Sequence, residues 1–197
     1  MNYTLRNHIA YIPTSEYINK YWEPDQFIKY CKTCKNYQTS WACPSFDYNP
    51  KDIIDQYKHS YIIGTQVIFT PEYIEVSKDQ NIDTVSQQIM KEVRAVLDQQ
   101  LLKVEQAYKG SLALFAGNCH WCPDRECTRV ADQPCRHPEL IRPSLEAYGF
   151  DIGQTTSKLL KLELKWGKDG SLPPYFILVS GMMSRELIPN LEQLIRI

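Results

Sequence analysis

The chain has 197 residues, with 22 basic side chains against 23 acidic ones, a formal net charge of −1, and 43% hydrophobic content including 12% aromatics. That composition excludes a disordered chain and removes the broad electrostatic case for nucleic acid or an anionic membrane as main partner. A chain of this length can bury a core without disulfides or metal, so its 7 cysteines need another explanation.

From the N-terminus, Met1 to Thr14 interleaves Arg6, Asn7 and His8 with apolar residues and lacks the apolar core of a signal peptide. The longest apolar stretch, Tyr175 to Val179, is far short of the ~20 residues of a membrane helix. We expect a soluble cytoplasmic protein whose cysteines stay thiols; an odd count cannot be fully paired within one chain in any case. Pro24 opens a short helix ending near Cys31, and Asn49-Pro50 opens another through Ile53, Ile54 and Tyr57. Tyr61 to Thr70 is β-branched and aromatic, stops at Pro71, and reads as a buried strand.

Between Asp83 and Tyr108, Val85, Ile89, Val93, Val96, Leu97, Leu101 and Val104 step by three and four, which predicts a long helix with one stripe on a core, ended by Lys109-Gly110. Ser111 to Ala116 is a short strand that Gly117-Asn118 turns into a cysteine-rich loop. Pro143 to Tyr148 and Gly153 to Leu160 read as helical segments. Leu160, Leu162, Leu164 and Trp166 alternate with polar residues, Lys168-Asp169-Gly170 has turn chemistry, and Tyr175 to Ser180 is apolar, which together predict a hairpin. The sum is an α+β or α/β sandwich, with a ferredoxin-like arrangement among the candidates and two cysteine-rich metal-binding loops. One domain spans 1–197, with a cysteine-rich segment over 24–50 and a cysteine-rich insertion over 117–143.

The cysteines form two unlike groups: Cys31, Cys34 and Cys43, spaced C-x2-C-x8-C, and Cys119, Cys122, Cys127 and Cys135, spaced C-x2-C-x4-C-x7-C. A C-x2-C turn lets two sulfurs converge while backbone N–H groups point inward, and four local thiolates suit either tetrahedral zinc or a [4Fe-4S] cube. Structural zinc usually takes two close pairs, whereas the second group has one. Proline beside a ligand, in Cys43-Pro44, Cys122-Pro123 and Pro134-Cys135, matches ferredoxin usage, so iron-sulfur leads zinc. Trp41 and Trp121 adjoin the cysteines, where they either exclude water and strengthen hydrogen bonds to sulfur or serve as ordinary core.

The first group is one thiolate short. A cube there takes a nonthiolate ligand, water or substrate at its fourth iron, or a side chain such as His8, His59, His120 or His137 closes the position. Lys29, Lys32, Lys35 and Lys51 outweigh Asp47 and would offset thiolate charge, though scattered lysines more often mark a solvated loop. Arg125, Arg129, Arg136 and Arg142 offer an anion site between the loops, against surface ion pairs with Asp124, Glu126, Asp132 and Glu139. Phosphate-binding glycine loops, HExxH, GxSxG and the C-x3-C-x2-C of radical enzymes are absent, and Cys31-x2-Cys34 lacks the setting of a thioredoxin-like redox pair.

Cys31-x2-Cys34 leading into Trp41-Ala42-Cys43-Pro44, Gly117-Asn118-Cys119-x2-Cys122-x4-Cys127, Pro134-Cys135-Arg136-His137-Pro138-Glu139, and Arg142-Pro143-Ser144-Leu145-Glu146-Ala147-Tyr148-Gly149 together resemble an uncharacterised prokaryotic family labelled "predicted metal-binding protein". Ser45 departs from the second proline of that family's Trp-x-Cys-Pro-Pro pattern but removes no ligand. The resemblance implies metal binding and names no reaction. The expectation is an iron-sulfur protein, with zinc-stabilised interaction module and redox enzyme with substrate at an open cluster iron as alternatives, and a redox protein as partner.

Overall fold

A computed structural model describes residues 2–122, 126–167 and 170–196. Four antiparallel strands make one open sheet in the order β1-β2-β4-β3: β1 Tyr3–Pro13, β2 His59–Phe69, β3 Ser111–Leu114 and β4 Tyr175–Ser184. Between β1 and β2 come α1 Thr14–Tyr21, α2 Pro24–Lys32 and α3 Pro50–Ile54, and between β2 and β3 come α4 Pro71–Ser77 and α5 Ile82–Ala107. A single turn α6 Ile152–Gln154 widens into a π-turn over Thr155–Leu159, and α7 Leu191–Leu194 ends the chain's regular structure. The class is α+β. β2 and β3 run the same way with β4 between them, a β-α-β unit split by an antiparallel strand, but the chain order is not the β-α-β-β-α-β of a ferredoxin-like fold, because β1 precedes this unit. Among the described residues no helix is long and apolar enough to cross a membrane.

The sheet separates two apolar layers. On one face the α5 stripe of Ile89, Val93, Leu97 and Leu101 packs on Ile63 and Val67 of β2 and Met182 of β4. On the other, Tyr17 of α1, Ile54 of α3, Leu145 and Phe150 cover Ile62 and Met183, with Tyr17 stacked on Phe150 at 4.3 Å between ring centroids. The starts of α3 and α5 are capped by Asn49 and Asn81, whose side chains accept from the N–H of Lys51 and of Thr84.

Three expectations are corrected. Val96, placed on the core stripe, is exposed; the buried flank of α5 carries Arg94 and Asp98 instead. Residues 160–166 join no ladder: Leu160 and Leu162 lie on the sheet face over Gly64, where a Cβ would come within 2.9 Å of Leu160 Cδ1, so the alternation reflects packing on a face rather than pairing in a hairpin. The turn residues Lys168 and Asp169 lie outside the described residues. Pro143 to Tyr148 is a run of turns, not a helix, since the Pro143 carbonyl accepts from Phe115 N–H and Gly149, at φ +94°, ends the local bonding. β1 and α1 had no sequence assignment.

Candidate metal centre

Cys31 sits in the last turn of α2, and the chain leaves that helix through successive turns: Cys34 N–H donates to Cys31 O, Tyr37 N–H to Cys34 O, and Cys43 N–H to Ser40 O, each at 3.0 Å. These turns curl the three cysteines into one neighbourhood, so that Cys34 raises the Cys31 thiol, and Cys34 and Cys31 both raise Cys43. Burial is the larger cause in each case and takes Cys43 up to about 11.

The second group starts where β3 ends. Cys119, Cys122, Cys127 and Cys135 all line one cavity of about 420 Å³, roofed by Lys35, Asn36, Ser40 and Trp41 of the first loop. Burial pushes the Cys119 thiol up, Trp121 N–H opposes, and Cys135, Cys127 and Cys122 add to the rise; Cys135 behaves alike, with His137 N–H opposing. Among the described residues no three His, Cys, Asp or Glu side chains gather around one point tightly enough to hold a single metal ion. The cysteines therefore share a cavity without forming a finished mononuclear cage.

Do these residues suit a thiolate-bound metal? Backbone N–H groups point at sulfur in a repeated pattern, residue i+2 donating to cysteine i: Asn36 to Cys34 at 3.5 Å, His137 to Cys135 at 3.4 Å, and Trp121 to Cys119. Such bonds stabilise sulfur that carries negative charge. Trp121 Nε1 is buried without a hydrogen-bond partner among the described residues, and the residue lines the four-thiol cavity. Neighbouring thiols that hinder one another's ionisation have that penalty removed by a shared cation. The donor set fits.

The arginines do something other than the sequence suggested. Arg129 donates Nη1 to the carbonyls of Ser40 at 2.7 Å and Cys43 at 2.5 Å, and Nη2 to the Ser45 carbonyl, while its guanidinium lies 5.3 Å from the Trp41 ring centroid. Trp41 Nε1 in turn donates to Gln133 O at 3.1 Å, so it is not a donor to sulfur. Arg129 and Trp41 thus tie the two cysteine loops together. Arg136 donates to Glu126 O at 2.9 Å, and Arg142 makes a fork to the Glu105 carboxylate of α5. Arg125 lies outside the described residues, as do Pro123 and Asp124. The anion site built from these arginines is therefore corrected: the described three are committed to the protein's own carbonyls and to Glu105, which was not among the acids weighed as partners.

The four histidines are placed elsewhere than on the three-cysteine group. His8 contacts Gln66 at 3.1 Å and His59 contacts Tyr11 at 2.9 Å, both on the β1-β2 ribbon. His137 lines the four-thiol cavity. His120 Nε2 stands 2.9 Å from Asp98 Oδ2, within ion-pair reach but without hydrogen-bond alignment. Of the lysines, Lys51 is paired to Asp55 at 2.6 Å and only Lys35 reaches the cavity between the loops; the cation acting on Cys43 is Arg129, from the other loop.

The family described as predicted metal-binding protein, DUF2284, matches residues 18–180. The chain belongs to that family. The matched span holds all 7 cysteines, both loops and the α5 helix on which the second loop rests. No curated protein and no solved structure matches the chain.

Sequence reasoning missed Arg94, Asp98 and Glu146 as constituents of the site. Arg94 and Asp98 form a buried pair on α5 at 3.1 Å, under the start of the second loop. Their signal was present in the i, i+4 spacing beside the apolar stripe, continued at Glu105. Glu146 has its Oε2 out of solvent without a partner among the described residues, and burial raises its carboxyl although Arg94 and the Ser144 hydroxyl act the other way.

Proposed function

We propose that the protein is an iron-sulfur protein with a [4Fe-4S] cluster on Cys119, Cys122, Cys127 and Cys135, a second metal centre on Cys31, Cys34 and Cys43, and a role in electron transfer to a protein partner. The observation that carries this is the single cavity lined by all four thiols of the second group, with the i+2 backbone N–H groups of Trp121 and His137 donating to Cys119 and Cys135. A bound cluster supplies one-electron chemistry at a potential set by hydrogen bonds and solvent exclusion. The chain's part is to supply them: Trp121 lines the cavity and its backbone N–H donates to Cys119, Trp41 and the Ser40 turn cover it, and Arg129 fixes the cover to the second loop.

The test is anaerobic purification after iron-replete expression. Brown protein with broad visible absorbance that bleaches on reduction, containing iron and acid-labile sulfide, supports the reading. Colourless protein with stoichiometric zinc overturns it and leaves a zinc-stabilised interaction module.

A further inference from the structure

β3 stops short. It pairs with β4 only from Gly181 to Ser184, so the rest of β4 is laddered on one side alone, to β2. At this uncovered edge, just past the end of β3, a cavity of about 750 Å³ opens between α5 and residues 152–166 and reaches Cys119 and Cys122. Its size falls within the usual range for ligand sites of roughly 300–1,000 Å³.

The wall nearest the cysteines is polar. Arg94 is 8% exposed, and among the described residues its one hydrogen bond is Nη2 to Asp98, at 3.1 Å. Nη1 faces Gly117, where a Cβ would stand 3.8 Å away; the glycine, at φ +76°, leaves that edge of the guanidinium open. A guanidinium does not give up its charge, so a buried one with a free edge calls for an acceptor. The partnerless Glu146 Oε2 belongs to the same cavity. Burial favours its protonated form, in which it offers a donor hydrogen and not a competing negative charge. Lys35 and Lys91 stand at the exposed rim, and among the described residues Glu146 is the one acidic side chain that lines the cavity, with Asp98 paired to Arg94 behind it.

The lining also has an apolar part, with Met90 one turn from Arg94 on α5 and Ile152, Leu164, Trp166 and Ile177 from the rest of the chain. One guanidinium edge beside one carboxylic acid matches a planar, singly charged, two-oxygen head. A phosphate would call for more buried positive charge or a glycine-rich loop than this wall supplies.

We propose that this cavity binds a small monocarboxylate with an apolar body, its head on Arg94 and Glu146 beside the Cys119 group and its body along Leu164, Trp166 and Ile177. Binding itself does not depend on which metal the cysteines hold. That the ligand lies next to a redox centre, and is therefore a substrate or effector of it, rests on the function proposed above.

The test uses anaerobically purified, metal-loaded protein and isothermal titration with octanoate, against 1-octanol as neutral analogue and sodium sulfate as simple anion. Octanoate is expected to bind at least about tenfold more tightly than octanol, the order of one charge-assisted hydrogen bond, with no saturable sulfate binding. Because Arg94→Gln alone would strand the buried Asp98 charge, the double variant Arg94→Gln/Asp98→Asn removes both charges together and is expected to abolish the preference for octanoate over octanol. Ile177→Trp fills the apolar end and is expected to weaken both. Equal binding of octanoate and octanol, or a preference for octanoate that survives in the double variant, overturns the proposal. Metal and sulfide are assayed on every sample: zinc protein that still prefers octanoate keeps the binding site and refutes the iron-sulfur reading, whereas brown protein indifferent to octanoate does the reverse.

Discussion

Replacing Arg129 by methionine keeps the aliphatic length of the side chain and removes the fork that ties the second cysteine loop to the first. Three donated bonds to the carbonyls of Ser40, Cys43 and Ser45 are lost, together with the guanidinium above Trp41. Hydrogen bonds from a charged donor contribute up to about 1.5–3 kcal/mol each, but Arg129 is half-buried and shares one guanidinium among three acceptors. Discounting for water to about 0.5–1 kcal/mol per bond gives a net of about 1.5–3 kcal/mol for local opening of the first loop. The readout is amide hydrogen exchange by mass spectrometry over residues 36–46, where Gln38 N–H is held by Pro44 O at 2.9 Å and Cys43 N–H by Ser40 O at 3.0 Å. Exchange is expected to accelerate on the order of 10- to 100-fold in Arg129→Met. Arg129→Lys should recover little, since an ammonium supplies the charge without the planar fork. Exchange within threefold of wild type in Arg129→Met, with metal content unchanged, would refute the claim that this arginine couples the loops.

Cys127→Ala is expected to lower both bound metal and melting temperature, whereas Cys34→Ala should leave the metal of the four-thiol cavity in place; element analysis beside calorimetry separates the two. In metal-free protein the Cys43 thiol, pushed up to about 11 from an ordinary value of 9.0, binds its proton more tightly when folded, so its contribution is full below pH 9 and is lost as pH rises through about 11. Urea midpoints should therefore fall more steeply across that window in wild type than in Cys43→Ala. The Glu146 carboxyl is likewise raised by burial from 4.5, so the wild type gains from it only while it is protonated. Glu146→Gln should be the more stable protein at pH 8, with the difference closing below pH 4.5; a wild type more stable at pH 8 would contradict the assignment.

The α5 stripe, the β2 strand, the α2 and α3 starts and the two cysteine groups could be read from periodicity, capping and spacing. β1 could not, because Asn7 interrupts Tyr3, Leu5 and Ile9 on the face that packs against the core. Its amide is satisfied only by distant partners: Thr65 Oγ1 donates to it at 2.8 Å, and its own Nδ2 donates to Ile195 O at 3.1 Å. Residues 160–166 misled for the opposite reason, since alternation arises both in a laddered strand and in a chain laid over a sheet. The arginines misled because spacing near acids suggests ion pairs, while a loop rich in turns has many carbonyls seeking donors, and a guanidinium satisfies several at once.

The second cysteine loop has almost no apolar core of its own, and its attachment explains why α5 carries charge on a buried face. At its start, His120 stands against Asp98; at its end, Arg142 forks onto Glu105. Seven helical residues separate these anchors, about 10 Å along the axis at 1.5 Å per residue. Glu105 also accepts from the N–H of Ala113 in β3 at 2.6 Å, so the same carboxylate joins helix, strand and loop. Ends held this close leave the intervening chain to be ordered by what lies between them. Arg136 and Arg129 bond its backbone and its neighbour, and the four thiols face one cavity. Removing the metal should therefore loosen residues 119–135 and their cover more than the sheet, so hydrogen exchange in chelator-treated protein should rise there first while β2 and β4 stay protected. Uniform loss of protection across the whole chain would mean that the metal supports the entire fold and that the two end anchors do not isolate the loop.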